Sequence, residues 1–349
     1  MYINKKLIYK LKFKKAIFKT KNLKTLINRK SMVAGITFGP FDLVIGMLLL
    51  VFSGILIEQL VYFISWKFQR STFGVATIFA PILTSAPELT VFLIALYQGN
   101  PAVAWGTIVA QPFMAATIIY PVLVLTTLIS RFAGRRQYVM PRVDKSVANP
   151  LIAFTIPLIP ILFLHPEQYS ILGRVYGLIL LLGYVIYVKK LLKVEKIEKL
   201  ESKFWLRNYI LQTVIAVLAI YLGGEYMVHG IIELGTVYNI DQTALTVILV
   251  PIATVVPESI VGLIFLAKGK DDEGVGSVIG EKALYGTFYP GVAMALGVYT
   301  LQPTAVMALV IAVVVSIVEI LMVRKFGIFG ASAPLGLLAY IYYIKMFIT

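Results

Sequence analysis

The sequence predicts an all-α membrane protein: ten transmembrane helices arranged as two inverted five-helix repeats. Composition is the first reason. Hydrophobic residues fill 59% of the 349 positions and charged residues 14%, whereas a soluble domain carries roughly 25% charged residues. Apolar runs are the second reason. They recur at about the 20 residues that a helix needs to cross ~30 Å of hydrocarbon, and the strict alternation of a barrel strand is absent. The third is an internal duplication. Pro81-Ile82-Leu83-Thr84-Ser85-Ala86-Pro87-Glu88 recurs 170 positions later as Pro251-Ile252-Ala253-Thr254-Val255-Val256-Pro257-Glu258. The register holds without a gap through Gly99/Gly269, Gly106/Gly276 and Thr117/Thr287.

In chain order, spans are expected at 43–65, 73–97, 103–129, 148–164 and 171–188, then at 209–234, 243–267, 275–299, 303–322 and 329–347. The offset maps the second span onto the seventh and the third onto the eighth. Each half holds an odd number of spans, so the second copy enters the membrane upside down. Secondary transporters are often built this way, with the substrate held at the midplane where the repeats meet. The chain divides into a basic tail at 1–31, a first repeat at 32–188, a linker at 189–208 and a second repeat at 209–349.

Loop charge gives an expected orientation. The loops at 66–71, 131–147, 189–208 and 323–328 are rich in Lys and Arg, and those at 98–102, 165–170, 235–242 and 300–302 have none. Cytoplasmic loops retain basic residues, so the linker is expected in the cytoplasm and both ends of the core outside, in a multi-pass protein of the cell membrane. The tail at 1–31 has eleven Lys/Arg and no acid, which conflicts with an outside start. Two explanations stand level: a native start at Met32, or a basic helix lying on anionic lipid. The net charge of +15 follows from these loops and calls for no nucleic-acid partner. The absence of cysteine excludes disulfides and thiolate metal sites, and nothing requires a cofactor. The expected partners are the bilayer and inorganic cations. The sequence sets no oligomeric state and is compatible with a monomer.

The duplicated frame places chemistry where hydrocarbon disfavours it. Thr84 and Glu88 are four apart, so a helix presents hydroxyl and carboxylate on one face. Pro87 has no N–H, which frees the Leu83 carbonyl, and Pro257 likewise frees that of Ala253. Two copies together offer two carbonyls, two hydroxyls from Thr84 and Thr254, and two carboxylates from Glu88 and Glu258. Six or more oxygens suit Ca²⁺, and two carboxylates balance its charge. Without a cation, buried acids take up protons instead, so such a site exchanges one for the other.

These residues resemble a known family. Thr84-Ser85-Ala86-Pro87-Glu88-Leu89 is similar to the T-S-x-P-E-L signature of sodium/calcium exchangers, and Gly106-Thr107-Ile108-Val109 to the segment that follows it. Thr254-Val255-Val256-Pro257-Glu258 and Gly276-Ser277-Val278-Ile279-Gly280 resemble the second repeat. The resemblance, to the prokaryotic type of calcium/cation antiporter, covers residues from about 40 to 349. It implies alternating access, with ion ligands on the broken helices. The sodium-site positions depart from the family: Gln111 and Ala115 stand in the first repeat, Glu281 and Tyr285 in the second, and Ser85 has Val255 as its twin. Proton coupling is therefore expected ahead of sodium, with Glu281 as a third carboxylate. Lys282 either neutralises a carboxylate or snorkels. Ser85, Thr107, Ser277 and Gln111 are secondary ligand candidates. Glu58, Glu225 and Glu319 also fall in spans, and Asp271-Asp272-Glu273 reads as a solvated acidic loop.

The expected function is thus antiport of Ca²⁺ or a similar divalent cation against H⁺ or Na⁺. A cation channel or passive cation-binding protein is the alternative. An enzyme is not expected: no metalloprotease H-E-x-x-H or phosphate-binding glycine loop is present.

Overall fold

The computed structural model describes residues 39–67, 85–164, 166–191, 208–298 and 302–347. Apart from one isolated bridge between Arg142 and Ile328, the described residues are helices and their connections. A backbone in lipid must satisfy its own polar groups, which leaves helices for apolar runs of this kind. Six described helical stretches are long and apolar enough to cross a membrane: Gly39–Ile57, Pro101–Phe132, Lys145–Leu162, Ile171–Lys189, Tyr209–Val237 and Pro303–Phe326. Exposed Leu172, Leu178, Ile179 and Leu182 on the fifth span form the sheath expected of a lipid-facing helix.

Helix α1 is Gly39–Lys67, α2 is Ala86–Tyr97 and α3 is Pro101–Met114. A π-helical segment, Ala115–Ile119, leads from α3 into α4, Tyr120–Phe132. Helix α5 is Ala148–Thr155 and α6 is Pro166–Leu191. The second half repeats the order. Helix α7 is Tyr209–Val237, α8 is Gln242–Ala267 and α9 is Asp271–Ala283. A second π segment, Leu284–Phe288, leads into α10, Tyr289–Ala295. Helices α11, Pro303–Phe326, and α12, Ala333–Phe347, follow.

The inversion is visible in α1 and α7. Each is 29 residues long, and their bounds differ by 170 at both ends. They pack lengthwise on one another, Gly39 against Glu233, Gly230 against Leu43 and Gly46 against Met227. Further along, Gln212 Nε2 donates to the Leu56 carbonyl at 3.0 Å. Numbers rise along one helix as they fall along the other, so the twin helices are antiparallel. The duplication also persists in local geometry. Gly99 and Gly269 both take positive φ, 69° and 80°, a conformation that glycine adopts without penalty. Each closes its helix by the same backbone hydrogen bonds, to Leu96 and Leu266 at 3.0 Å.

The described loops sort to two ends, grouped as their charges predict. At one end Asn100 Nδ2 donates to Gln242 Oε1 at 2.7 Å and Thr243 bonds Gln302. At the other, Val143 N bonds the Gly327 carbonyl at 2.9 Å and Phe329 N the Pro141 carbonyl at 3.0 Å. Arg174, which lies against Gly297, is a basic residue at the first end.

Four expectations need correction. The fourth span is not one α-helix. Pro157 and Pro160 each remove a helical donor, and α5 gives way to 3₁₀ turns at Ile156–Leu158 and Pro160–Leu162. The last span starts at Ala333 rather than 329, because Gly330 turns with φ of 85° and Glu319 receives the Gly330 and Ser332 backbone N–H groups. Helix α8 runs unbroken through Pro257. The proline withholds one hydrogen bond from the Ala253 carbonyl without ending the helix. The start of the second span, residues 1–31 and most of the linker lie outside the described residues.

The fourth correction concerns Asp271 of the acidic stretch; Asp272 is exposed as expected, and the side chain of Glu273 lies outside the described residues. Asp271 is paired with Arg136, their side chains 11% and 6% exposed. Its other oxygen accepts from Arg142 N at 2.7 Å, and Asp272 accepts from Asp144 N at 3.1 Å. Arg136 also donates to the Leu266 carbonyl at 2.7 Å. Asp271 thus fastens the loop after α4 to the start of α9. Asp271→Asn is expected to destabilise the fold by about 3–5 kcal/mol, since removing one partner leaves a buried charge uncompensated. A thermal melt in detergent checks this, and a midpoint equal to wild type would show the pair to be dispensable.

Candidate functional site

The first copy of the duplicated frame enters the structure at Ser85, which precedes α2. Pro87 falls in the first turn of that helix, where its missing N–H costs nothing. Glu88, one residue on, is 2% exposed. Gln111, on α3, donates from Nε2 to Glu88 Oε1 at 3.0 Å. The Gln111 Oε1 atom is itself buried and has no hydrogen-bond partner among the described residues. A carboxylate and a neutral amide oxygen thus lie side by side in the interior, 23 residues apart in sequence. Thr107, one turn earlier on α3, is buried and returns its hydroxyl to the Val103 carbonyl at 2.9 Å.

Helix α8 carries the second copy and packs against both α2 and α3. The approach to α3 is close: a Cβ on Gly106 would come within 2.9 Å of Thr246 Cβ. Ala253 and Thr254 are buried, and the Thr254 hydroxyl donates to Val250 O at 3.2 Å, leaving its oxygen lone pairs to accept or ligate. Leu83 and Thr84 lie outside the described residues, as do the side chains of Glu258, Ser277 and Glu281. Among the described groups, then, the structure brings together Glu88 and Gln111, on helices that contact the one bearing Ala253 and Thr254.

A residue of the second repeat reaches the first motif. Tyr289, directly after the second π segment, donates its hydroxyl to the Ser85 carbonyl at 2.8 Å. The same carbonyl accepts from Leu89 N at 3.1 Å. Tyr289 and its counterpart Tyr120 each follow a π segment and precede a proline, Pro290 and Pro121. Each proline removes the helical hydrogen bond to the residue four before it. The helix widens there instead, and the Tyr289 and Tyr120 N–H groups reach back five residues to Leu284 O and Ala115 O. Thr287 and Thr117 sit inside the widened turns, with hydroxyls bonded to Ala283 O and Phe113 O. Wide turns of this kind are frequent at functional sites. The sequence signal was the repeated Tyr-Pro pair, 169 positions apart and so one residue out of register with the motif.

Lys282 does not snorkel. It is 6% exposed; Nζ donates to Ser316 Oγ at 2.8 Å and lies 5.2 Å from the centre of the Tyr120 ring. Glu319, three residues along α11 from Ser316, is fully buried and accepts from Ser332 Oγ at 2.6 Å as well as from backbone. Glu225 accepts from Gln98 Nε2 at 2.9 Å. The side chain of Glu58 lies outside the described residues.

Antiparallel twin repeats, a buried carboxylate on a duplicated motif and a lipid-facing apolar exterior define an integral membrane protein of the inverted-repeat class. The chain belongs to the sodium/calcium exchanger protein family, whose model matches residues 27–191 and 208–349. Solved structures share the fold. The H⁺/Ca²⁺ exchanger CAX superposes with a TM-score of 0.69 at 15% identity, over 97% of this chain and 89% of that one. Native YfkE gives 0.64 at 16% identity, over 91% and 95% of the two chains. The sodium-calcium exchanger NCX_Mj gives 0.56 at 20% identity, over 89% and 98%. No curated protein matched in sequence.

Proposed function

We propose that the chain is a secondary antiporter that moves Ca²⁺ or a similar divalent cation against H⁺ or Na⁺ by alternating access. The central observation is the Thr-x-x-Pro-Glu frame repeated on antiparallel twin halves, with Glu88 buried at the first copy. The cation is held by Glu88, Glu258, Thr84 and Thr254, with carbonyl oxygens of Leu83 and Ala253. The names of CAX and NCX_Mj, which share the fold, pair Ca²⁺ with protons and with sodium respectively, in keeping with this class of exchange.

Protons are favoured as the counter-ion. Gln111 touches Glu88, and the gap-free register gives Glu281 the same 23-residue separation from Glu258. A third acid beside two others resists ionising, because like charges and burial both disfavour the charged form. It therefore supplies a proton to exchange. The linker is assigned to the cytoplasm on loop charge.

Proteoliposomes loaded with the protein test this. Ca²⁺ uptake is expected to follow an imposed pH gradient more strongly than a sodium gradient, and to saturate. Uptake driven by neither gradient would reject antiport, and unitary currents in a planar bilayer would show a channel instead.

A further inference from the structure

A second cluster of metal-ligating groups lies between the twin helices. Asp42, in the first turn of α1, meets His229 and Glu233 near the end of α7. The His229 Nδ1 atom is 2.7 Å from Asp42 Oδ2 and 3.9 Å from Glu233 Oε2. One ligand atom from each of the three residues lies within 4.8 Å of the other two. His229 and Glu233 are four apart on one helix, so they share a face, and the antiparallel packing of α1 brings Asp42 to it. Glu233 can lie flat there because α1 begins with Gly39, where a Cβ would sit 3.0 Å from that of Glu233.

We propose that Asp42, His229 and Glu233 bind a divalent transition-metal ion such as Zn²⁺, at a site separate from the duplicated motif and independent of antiport. An ion pair alone accounts poorly for the arrangement. One imidazole nitrogen offers at most one proton, yet two carboxylates converge on it, and no Lys or Arg among the described residues pairs with either. Ligands about 2.0–2.1 Å from a tetrahedral Zn²⁺ stand roughly 3.3 Å apart. The two separations from His229, 2.7 and 3.9 Å, bracket that value, and the two carboxylates, within 4.8 Å of each other, would draw together on an ion. One imidazole with two carboxylates suits borderline ions such as Zn²⁺, Mn²⁺ or Co²⁺, whereas Ca²⁺ takes oxygen throughout. The His229 side chain is 55% exposed, which leaves room for water in the remaining position. Glu225, one turn further along the same face, is already engaged by Gln98, which limits the set to three. A bound ion would tie the leading helices of the two repeats together at the end poor in basic loops.

The test uses the full chain in detergent, stripped of metal and carrying Glu88→Gln so that the motif site does not contribute. Titration with Zn²⁺ against a chromophoric chelator is expected to show one equivalent per chain. His229→Ala and Glu233→Gln are each expected to weaken it at least about tenfold, since even outer partners of a metal site cost that much. The Co²⁺ d–d band should disappear with the histidine. Absence of a stoichiometric site, or binding unchanged by His229→Ala, would overturn the assignment. Should that variant fail to fold, Asp42→Asn keeps the side-chain shape and decides in the same way. Antiport is judged separately, by the gradient-driven uptake of the chain with His229 replaced and Glu88 intact.

Discussion

Glu88→Gln is expected to abolish gradient-driven cation uptake while leaving the protein folded. The substitution keeps the side chain's shape in a site that is 2% exposed. It also keeps an oxygen for Gln111 Nε2, now 3.0 Å from Glu88 Oε1, so packing and hydrogen bonding survive. Only the charge is lost. Removing one member of a buried charge pair costs about 3–5 kcal/mol. At about 1.4 kcal/mol per tenfold, cation affinity should fall on the order of a hundred- to a thousandfold. Gln111→Ala removes a neutral donor instead. A hydrogen bond to a charged group contributes about 1.5–3 kcal/mol, so its effect should be roughly ten- to a hundredfold. Uptake and thermal melts measured on the same preparations separate lost binding from lost folding. Glu88→Gln with full uptake would remove that carboxylate from the ion path, and with it the basis for reading the motif as a cation site.

Much of this arrangement was legible in the chain. The 170-residue register predicted twin helices of opposite direction, and α1 and α7 have that relation along 29 residues each. The repeated glycines predicted equivalent turns, and Gly99 and Gly269 form them. What stayed hidden depends on distant partners. Asp271 looks solvated from its neighbours, but Arg136 lies 135 residues away. Lys282 looks like a residue reaching for the interface, and only the fold reveals Ser316, 34 residues on, as its partner. The tyrosines after the π segments were missed for a different reason. Both repeats carry the widened turn, but the threonine stands one residue further from the tyrosine in the first than in the second. Thr117 is followed by two residues before Tyr120, Thr287 by one before Tyr289. An alignment held at constant offset passes over a pair displaced by one.

Gly230→Ala and Gly46→Ala are expected to be strongly destabilising small changes at the contact between the twin helices. A Cβ on Gly230 would sit 2.7 Å from Leu43 N and 2.9 Å from Gly39 O; on Gly46 it would meet Met227 N at 2.6 Å and Gly223 O at 2.9 Å. These obstacles are backbone, which cannot swing aside as a side chain can. In lipid, helices gain little from hydrophobic association, and small residues that let backbones approach supply much of the packing. A methyl at either position therefore pushes α1 from α7 and loosens contacts over several turns. Overpacking typically costs about 1–3 kcal/mol, and a rigid partner on both sides places these two at the upper end. Gly183 supplies the contrast. It is an exposed glycine of α6, and alanine there should be neutral or stabilising by up to about 1 kcal/mol, because it restricts the unfolded chain and favours helix. Melting midpoints of the three variants in one detergent make the comparison. If Gly230→Ala and Gly46→Ala melt with Gly183→Ala, the twin helices are not held at backbone contact, and the close antiparallel pairing that joins the two halves would have to be replaced by a looser one.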